Sequence, residues 1–334
     1  MEYPKFKVCC RCFTFNQAKY ITDAMNGFTM QQTSFPFVCT IVDDASTDGE
    51  QEVIRKYLED NFDFSEGSAA FNKETDYAHI TYAQHKINKN CYFAVLYLKE
   101  NHYSQRKSKM GYLSEWRDMC EYEALCEGDD YWIVPDKLEK QVVFLNNNPK
   151  YSMCFHRAII MNYIGTQCGL RCFDINDRNY SPTELFKEWI VPTASILYRI
   201  TINQCKIVDK ESILNGDIIL VEQCAHSGKV FGMSDYMSVY RIQPSGVTYD
   251  VKIQNERIMK YPRHFECIKK NFPLIDVGTV DKFISAAYIN RALIQCSRKD
   301  AICDLVNSWR FSYKTTIKKL LRIVVVKIKK LLHL

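Results

Sequence analysis

Three carboxylates crowd into four residues of "ALCEGDDYW", where Glu127, Asp129 and Asp130 follow the apolar run Ala124-Leu125-Cys126 and precede two aromatics. Like charges this close repel one another, which costs stability unless a cation, a hydrogen-bond network or open water takes up the charge. Hard carboxylate oxygens suit Mg²⁺ or Mn²⁺, and such an ion could bridge the protein to a diphosphate. A second acidic pair, Asp43-Asp44, opens the stretch "DDASTDG".

Both clusters sit where a buried strand should end. "FKVCCRCFTF" (6–15) reads as a first strand ending on Thr14-Phe15-Asn16, and the run from Phe37 to Val42 reads as a second that ends on Asp43. Helical spacing in "ITDAMNGFTMQQ" and "EQEVIRKYLEDNF" alternates with these strands, and "YEALC" supplies another strand before the triplet. That alternation opens an α/β domain with a parallel sheet, in which ligands bind outside the carboxyl ends of the strands. "HITYAQHKINKN" holds a third strand, and "YFAVLYLKENHYSQRKSKM" reads as a helix leading into a basic loop with Arg106, Lys107 and Lys109. "VPDKLEKQVVFLNNNP" reads as a helix with Pro135 in its first turn. Residues 151–250 mix strands with short helices and close on the turn "PSGVT"; from 251 onward the pattern is helical.

No GxGxxG follows the first strand and no GxxxxGK[ST] occurs, so the usual phosphate cradles are missing from the sequence. Instead, "VDDASTDG" and "CEGDDYW" followed by "PDKLEKQ", in this order, resemble glycosyltransferase family 2, the inverting enzymes of the GT-A fold, in forms found in bacterial cell-surface polysaccharide assembly. The resemblance covers roughly residues 5–245. It implies a GT-A nucleotide-diphospho-sugar transferase fold with a mostly parallel central sheet flanked by helices. The domain would span 1–250, with a nucleotide and metal half to about 150 and an acceptor half beyond, and 251–334 would form a helical extension.

The resemblance also implies roles. Thr14, Phe15 and Asn16 would flank the base of a nucleotide-diphosphate sugar, Asp44 would hydrogen-bond uracil or its equivalent, and Asp43 would shape the ribose end. The metal, Mn²⁺ or Mg²⁺, would be touched by Asp129 or Asp130, with Glu127 nearer the ribose. In "NGDIILVEQCAHSGKVFGMSDYMSVYRIQPSG" the family's acid falls on Asp217, its glycine turn on Gly228 and its Tyr-Arg pair on Tyr240-Arg241. Asp217 would be the base that deprotonates the acceptor hydroxyl, with Glu222 as fallback, and Arg241 would face the phosphates. Trp189 and "VPTAS" fall where the family lines an acceptor pocket. His85 and Lys86 could approach the sugar or lie on the surface, and His156 in its apolar run reads as a packed structural histidine.

The totals frame these expectations. At 334 residues, with 47% hydrophobic and 25% charged residues, the chain can bury a large core. Fifteen cysteines, an odd number, together with an opening MEYPKFKVCC that has no basic-then-apolar leader, point to free thiols in a reducing cytoplasm rather than a disulfide framework. The formal charge of +5 comes from the tail: "KTTIKKLLRIVVVKIKKLLHL" (314–334) carries seven Lys or Arg and no acid. A near-neutral remainder argues against a nucleic-acid surface. In the tail Ile317, Leu321, Val324, Ile328 and Leu331 fall near one helical face, with Lys318, Lys319, Arg322 and Lys329 mostly on others. That pattern suits an anionic inner-leaflet membrane surface, and equally a helix packed on its own core or on a second copy in a homo-oligomer. The expected partners are a nucleotide-diphosphate sugar donor and a glycan or lipid-linked acceptor. A nucleotidyltransferase would need a glycine- and basic-rich loop after the first strand, which "RCFTFNQAKY" lacks. A non-catalytic membrane-bound scaffold is the remaining alternative.

Overall fold

A computed structural model describes residues 3–162, 169–202, 206–243 and 251–331. The chain divides into two compact units, one formed by residues 1–180, 189–203 and 227–243, the other by 181–188, 204–226 and 244–334.

The first unit is built on one sheet. Its strands are β1 (Val8–Thr14), β2 (Phe37–Asp43), β3 (Phe62–Asp63), β4 (Phe71–Glu74), β5 (Ala78–His85), β6 (Cys91–Leu98), β7 (Tyr122–Leu125), β8 (Tyr131–Trp132), β9 (Tyr151–Asn162), β10 (Gly169–Cys172), β11 (Arg178–Tyr180), β12 (Leu197–Arg199) and β13 (Lys229–Ile242). They lie in the order β11-β13-β9-β12-β7-β1-β2-β6-β5-β3, with β10, β4 and β8 attached to β9, β5 and β13. The centre, β7-β1-β2-β6, is parallel; on one side β12 runs antiparallel to β7 while β9 and β13 return to the direction of the centre, and on the other β5 runs antiparallel to β6. Helices α1 (Ile21–Thr29), α2 (Glu50–Asn61), α3 (Ser114–Arg117) and α4 (Lys137–Asn147) flank it. This is the GT-A arrangement, with a mixed sheet whose parallel part is its core.

Alternation along β1 sorts the two hydrophobic layers. Val8, Cys10 and Cys12 pack with Met25 and Phe28 of α1, Ile54 of α2 and Leu138 of α4. Cys9 faces the opposite layer, with Val42, Leu96 and Trp116. The twelve cysteines whose side chains are described are free thiols, ten of them buried; Cys296 and Cys303 are exposed.

One expected element is wrong. The run Tyr92–Leu98 forms strand β6, not a helix, pairing with β2 and β5. It has no polar face for a helix to turn to water, and the eight residues of β6 are almost all buried, as in a strand covered on both sides.

The second unit is helical: α5 (Pro182–Lys187), α6 (Gly216–Ser227), α7 (Val251–Asn271), α8 (Val277–Ile294) and α9 (Arg298–Leu331). Ile268, Phe272, Ile275, Val280 and Ile284 form its core with Ile219 of α6. Between α8 and α9 lies a buried cluster of hydroxyls, Ser285, Ser308 and Thr316. Ser285 Oγ and Thr316 Oγ1 both donate to the carbonyl of Ser312, at 3.2 and 2.9 Å. Ser312 leaves helical geometry (φ −157, ψ 94) and divides α9 into two helices, and the chain turns sharply there, since Ser308 and Thr316, eight residues apart, meet at 2.7 Å. The turn "PSGVT" lies outside the described residues.

Candidate functional site

Parallel pairing sets three strand ends level. Thr14 lies opposite Asp43, and Asp43 opposite Tyr97. β7 stops earlier, with Leu125 opposite Arg11, but the chain stays alongside β1: Cys126 N–H donates to Arg11 O and Gly128 N–H to Phe13 O, each at 3.1 Å. The acidic segment 127–130 is thereby held against the end of the first strand. Gly128 makes this approach feasible, because a Cβ there would overlap Thr14 Oγ1 and Gln17 Oε1. The structure thus brings Thr14, Phe15, Asn16, Asp43, Asp44, Glu127, Asp129 and Asp130 to the ends of neighbouring strands.

Glu50, fully buried in the first turn of α2, is the hub of this end. Its carboxylate lies against Thr14 Oγ1 and accepts from Gln17 N–H and Ser46 Oγ, both at 2.8 Å. Burial raises its pKa, and these donors work against that rise. Asn16 sits in left-handed backbone (φ 54); its N–H donates to Ser46 Oγ and its Oδ1 accepts from Thr47 N–H at 2.8 Å. The two loops are thus stitched together, while Phe15 remains exposed.

The two adjacent aspartates are treated differently. Asp43 Oδ1 accepts from Ser46 N–H and Gln51 Nε2, but Oδ2 is buried without a partner, and burial raises the carboxyl pKa. Asp44 is also buried, yet its oxygens accept from His102 N–H (2.7 Å), Tyr103 N–H (3.0 Å) and Lys109 Nζ (2.8 Å). Burial opposes ionisation, but Lys109 and the two backbone donors outweigh it and hold the pKa below its ordinary value. The basic loop therefore has an anchor. Lys109 reaches Asp44 and lies 5.0 Å from the Phe13 ring centre, Lys107 pairs with Glu100, and Arg106 takes positive φ.

Asp130 is buried and Asp129 half-buried. Asp130 Oδ1 accepts from the Arg241 backbone N–H at 2.9 Å, and Asp129 Oδ2 from Gln243 Nε2 at 2.9 Å. Burial raises both pKa values, and for Asp130 the neighbouring Asp129 adds to the rise. Protons, or a cation, are favoured where two carboxylates share so small a space. Among the described residues, no three His, Cys, Asp or Glu side chains converge on one point as a complete ligand set. Two carboxylates nonetheless fit a hard cation that takes its other oxygens from water and phosphate.

Arg241 is nearly buried and fully engaged. Its guanidinium donates to Asp129 O at 2.9 Å, pairs with Asp23, and lies over the rings of Tyr20 and Tyr131 at 5.1 and 4.3 Å. The side chain holds β13 and α1 around the acidic turn. Trp132, in the same motif, is anchored through Nε1 to Ala194 O at 2.8 Å, within "VPTAS". Trp189 is exposed and meets Phe173 and Tyr240 edge to face.

Asp217 lies in the second unit, half-buried in the first turn of α6, where Oδ1 accepts from Ile218 N–H. Glu222, on the same helix, is buried with neither carboxylate oxygen hydrogen-bonded, and burial raises its pKa to about 8. A carboxyl that stays protonated at neutral pH is a poor base.

The remaining histidines and lysine are structural. His85 Nδ1 accepts from Ile87 and Asn88 N–H, and Lys86 Nζ donates to Glu59 and Asp60 carbonyls at the end of α2. His156 is buried, and burial lowers its pKa well below the ordinary value. Glu50, Gly128 and Gln243 had no sequence signal that separated them from helix-start or turn residues.

No family model matches the chain. Uncharacterized proteins of Mycobacterium tuberculosis and Mycobacterium bovis are 26% identical over 256 residues, covering 75% of this chain and 63% of theirs. The chain thus spans less than two thirds of the length of these relatives. Among solved structures, residues 1–349 of Staphylococcus aureus TarS match with a TM-score of 0.52 and 14% identity, over 92% of this chain and 81% of that one. The same protein in complex with UDP-GlcNAc matches with a TM-score of 0.54 and 13% identity, at the same coverage. The chain has a GT-A-type fold. At such identities the likeness speaks to architecture, and the chemistry rests on this chain's own residues.

Proposed function

We propose that the protein is an inverting glycosyltransferase that moves a sugar from a nucleotide-diphosphate sugar, a UDP-sugar in the first instance, to a hydroxyl of a glycan or lipid-linked glycan in capsule, O-antigen or lipopolysaccharide synthesis. The observation that carries this reading is the set of carboxylates Asp43, Asp44, Asp129 and Asp130 at neighbouring strand ends, drawn close by Gly128. The buried, unpartnered Asp43 Oδ2 is an acceptor awaiting a donor such as a ribose hydroxyl. Thr14, Phe15 and Asn16 border the base, and Asp44 acts on it directly or through Lys109. The solved complex of TarS with UDP-GlcNAc supports UDP as the first nucleotide to try.

Asp129 and Asp130 would hold Mg²⁺ or Mn²⁺, with Glu127 beside the ribose. The bound ion supplies positive charge to the departing nucleoside diphosphate. Asp217 takes the proton from the acceptor hydroxyl as its oxygen attacks the anomeric carbon on the face opposite the leaving group. No covalent enzyme intermediate is required. Arg241 serves by fixing the acidic turn.

A peripheral position on the inner face of the cell membrane accords with α9. Among the described residues no helix is long and apolar enough to cross a membrane. Ile317, Leu321 and Val324 are nonetheless exposed, Leu321 by 60%.

Calorimetric titration of UDP, GDP, dTDP and CMP, with Mn²⁺ and then with EDTA, tests the reading. Binding of one nucleotide that collapses in EDTA is expected, and Asp217→Asn should then abolish transfer with nucleotide affinity changed less than about threefold. Failure of every nucleotide to bind would sink the proposal.

A further inference from the structure

Helices α7 and α8 leave an open groove between them. Ile258, Tyr261 and Phe265 line it from α7, and Phe283, Ala286, Ala287 and Asn290 from α8, enclosing about 210 Å³. Both sets follow the three- and four-residue spacing of one helix face. The helices run antiparallel, since Lys269 pairs with Asp281 and Arg291 Nη1 donates to Met259 O. Residues 283–290 give the groove a length of about 10 Å at 1.5 Å of rise per residue.

Its two ends differ in chemistry. At one end Phe186 packs against both Phe265 and Phe283, with ring centres 6.1 and 4.9 Å away, so that end is aromatic and closed. At the other, Lys319 of α9 donates to Ala286 O at 3.1 Å and Asn290 Oδ1 at 2.7 Å. Among the described residues no carboxylate pairs with Lys319, and no Asp or Glu follows Asp304 in the sequence. Glu266 accepts from Tyr288 and Asp304 from Arg291, and Glu256, on the α7 turn before Ile258, is exposed. An ammonium held only by neutral oxygens at the mouth of an apolar groove is complementary to an anionic head whose chain lies in the groove.

We propose that this groove binds the apolar chain of an anionic amphiphile, a lipid phosphate, with its head group on Lys319 and its chain running toward Phe186. The small side chains of Ala286 and Ala287 make the room. That the amphiphile is the lipid anchor of a glycan acceptor rests on the transfer reaction proposed above; the groove's affinity for it does not.

The test is titration of the full-length protein with decyl phosphate below its aggregation concentration, beside decanol and inorganic phosphate. Decyl phosphate should bind most tightly, decanol more weakly, and phosphate alone not detectably. Ala286→Trp fills the groove and should weaken decyl phosphate by more than about tenfold, whereas Lys319→Glu should weaken it about tenfold and decanol less than about twofold. Thermal melting and UDP titration of both variants keep the groove separate from the first unit: lost amphiphile binding with intact UDP binding supports the site. Unchanged decyl phosphate affinity in both variants would overturn it. So would binding confined to anionic vesicles, which would assign the charge to a membrane surface, or a dimer that Ala286→Trp renders monomeric, which would assign the groove to a second copy.

Discussion

Asp44 and Glu222 are both buried carboxylates, one in each unit, and they end in opposite states. Asp44 meets two backbone N–H groups and the Lys109 ammonium, and its pKa falls. Glu222 meets no donor, and its pKa rises to about 8. Burial penalises charge in both, so the donors decide. His226, the nearest basic group to Glu222, cannot supply one: its Nδ1–H donates to Glu222 O at 2.8 Å and its Nε2 accepts from Leu274 N–H at 3.0 Å. Asp44 keeps its charge because the loop carrying His102 and Tyr103 folds over it with its N–H groups pointing inward. A mid-helix carboxyl has no such neighbours, since the backbone N–H groups around it are spent within the helix.

The contrast can be broken most severely at Asp44. Asp44→Ala should cost about 3–5 kcal/mol in urea unfolding, because it leaves the Lys109 charge and two N–H groups without their acceptor. A loss below about 1 kcal/mol would mean that water replaces the carboxylate. Gly128→Ala should cost about 2–3 kcal/mol and push the acidic segment off Thr14, weakening nucleotide binding along with stability. Equal affinity in the variant would separate that packing from the site. For Glu222 the sign follows from linkage. The folded state holds its proton up to about pH 8 while the unfolded chain releases it near 4.5, so between these values the folded state binds more protons. Stability from this group is full below pH 4.5 and is lost as pH rises through about 8. Glu222→Gln should remove that slope and exceed the wild type by about 4 kcal/mol at pH 8 with no gain at pH 4, read by thermal melting across pH. The smallest effect belongs to Ser285→Ala, about 1 kcal/mol, because Ser308 and Thr316 remain bonded to each other at 2.7 Å.

Much of the first unit was legible because its strands are short apolar runs that end in polar residues. β1, β2, β7 and the helices after them follow from that pattern, and the acids at their ends are visible as a breach of it. β6 was misread because a fully buried strand shows no period of two, so a run of aromatic and aliphatic residues looks alike in either conformation. Glu50 reads as an ordinary acidic residue opening a helix until Thr14, Gln17 and Ser46 are seen around it. Arg241 reads as a free cation until Asp23, 218 residues away in sequence, is found against it.

By itself the sequence determined which residue types gather at strand ends, the alternation that makes an α/β sheet, and an amphipathic basic tail, because these are local patterns of polarity and spacing. Only the tertiary structure decided which carboxylates are satisfied, which face of α9 stays exposed, and that α7 and α8 leave a groove with a cation at one end. Those outcomes depend on donors and neighbours contributed by distant parts of the chain, and residue type alone does not say who the neighbours are.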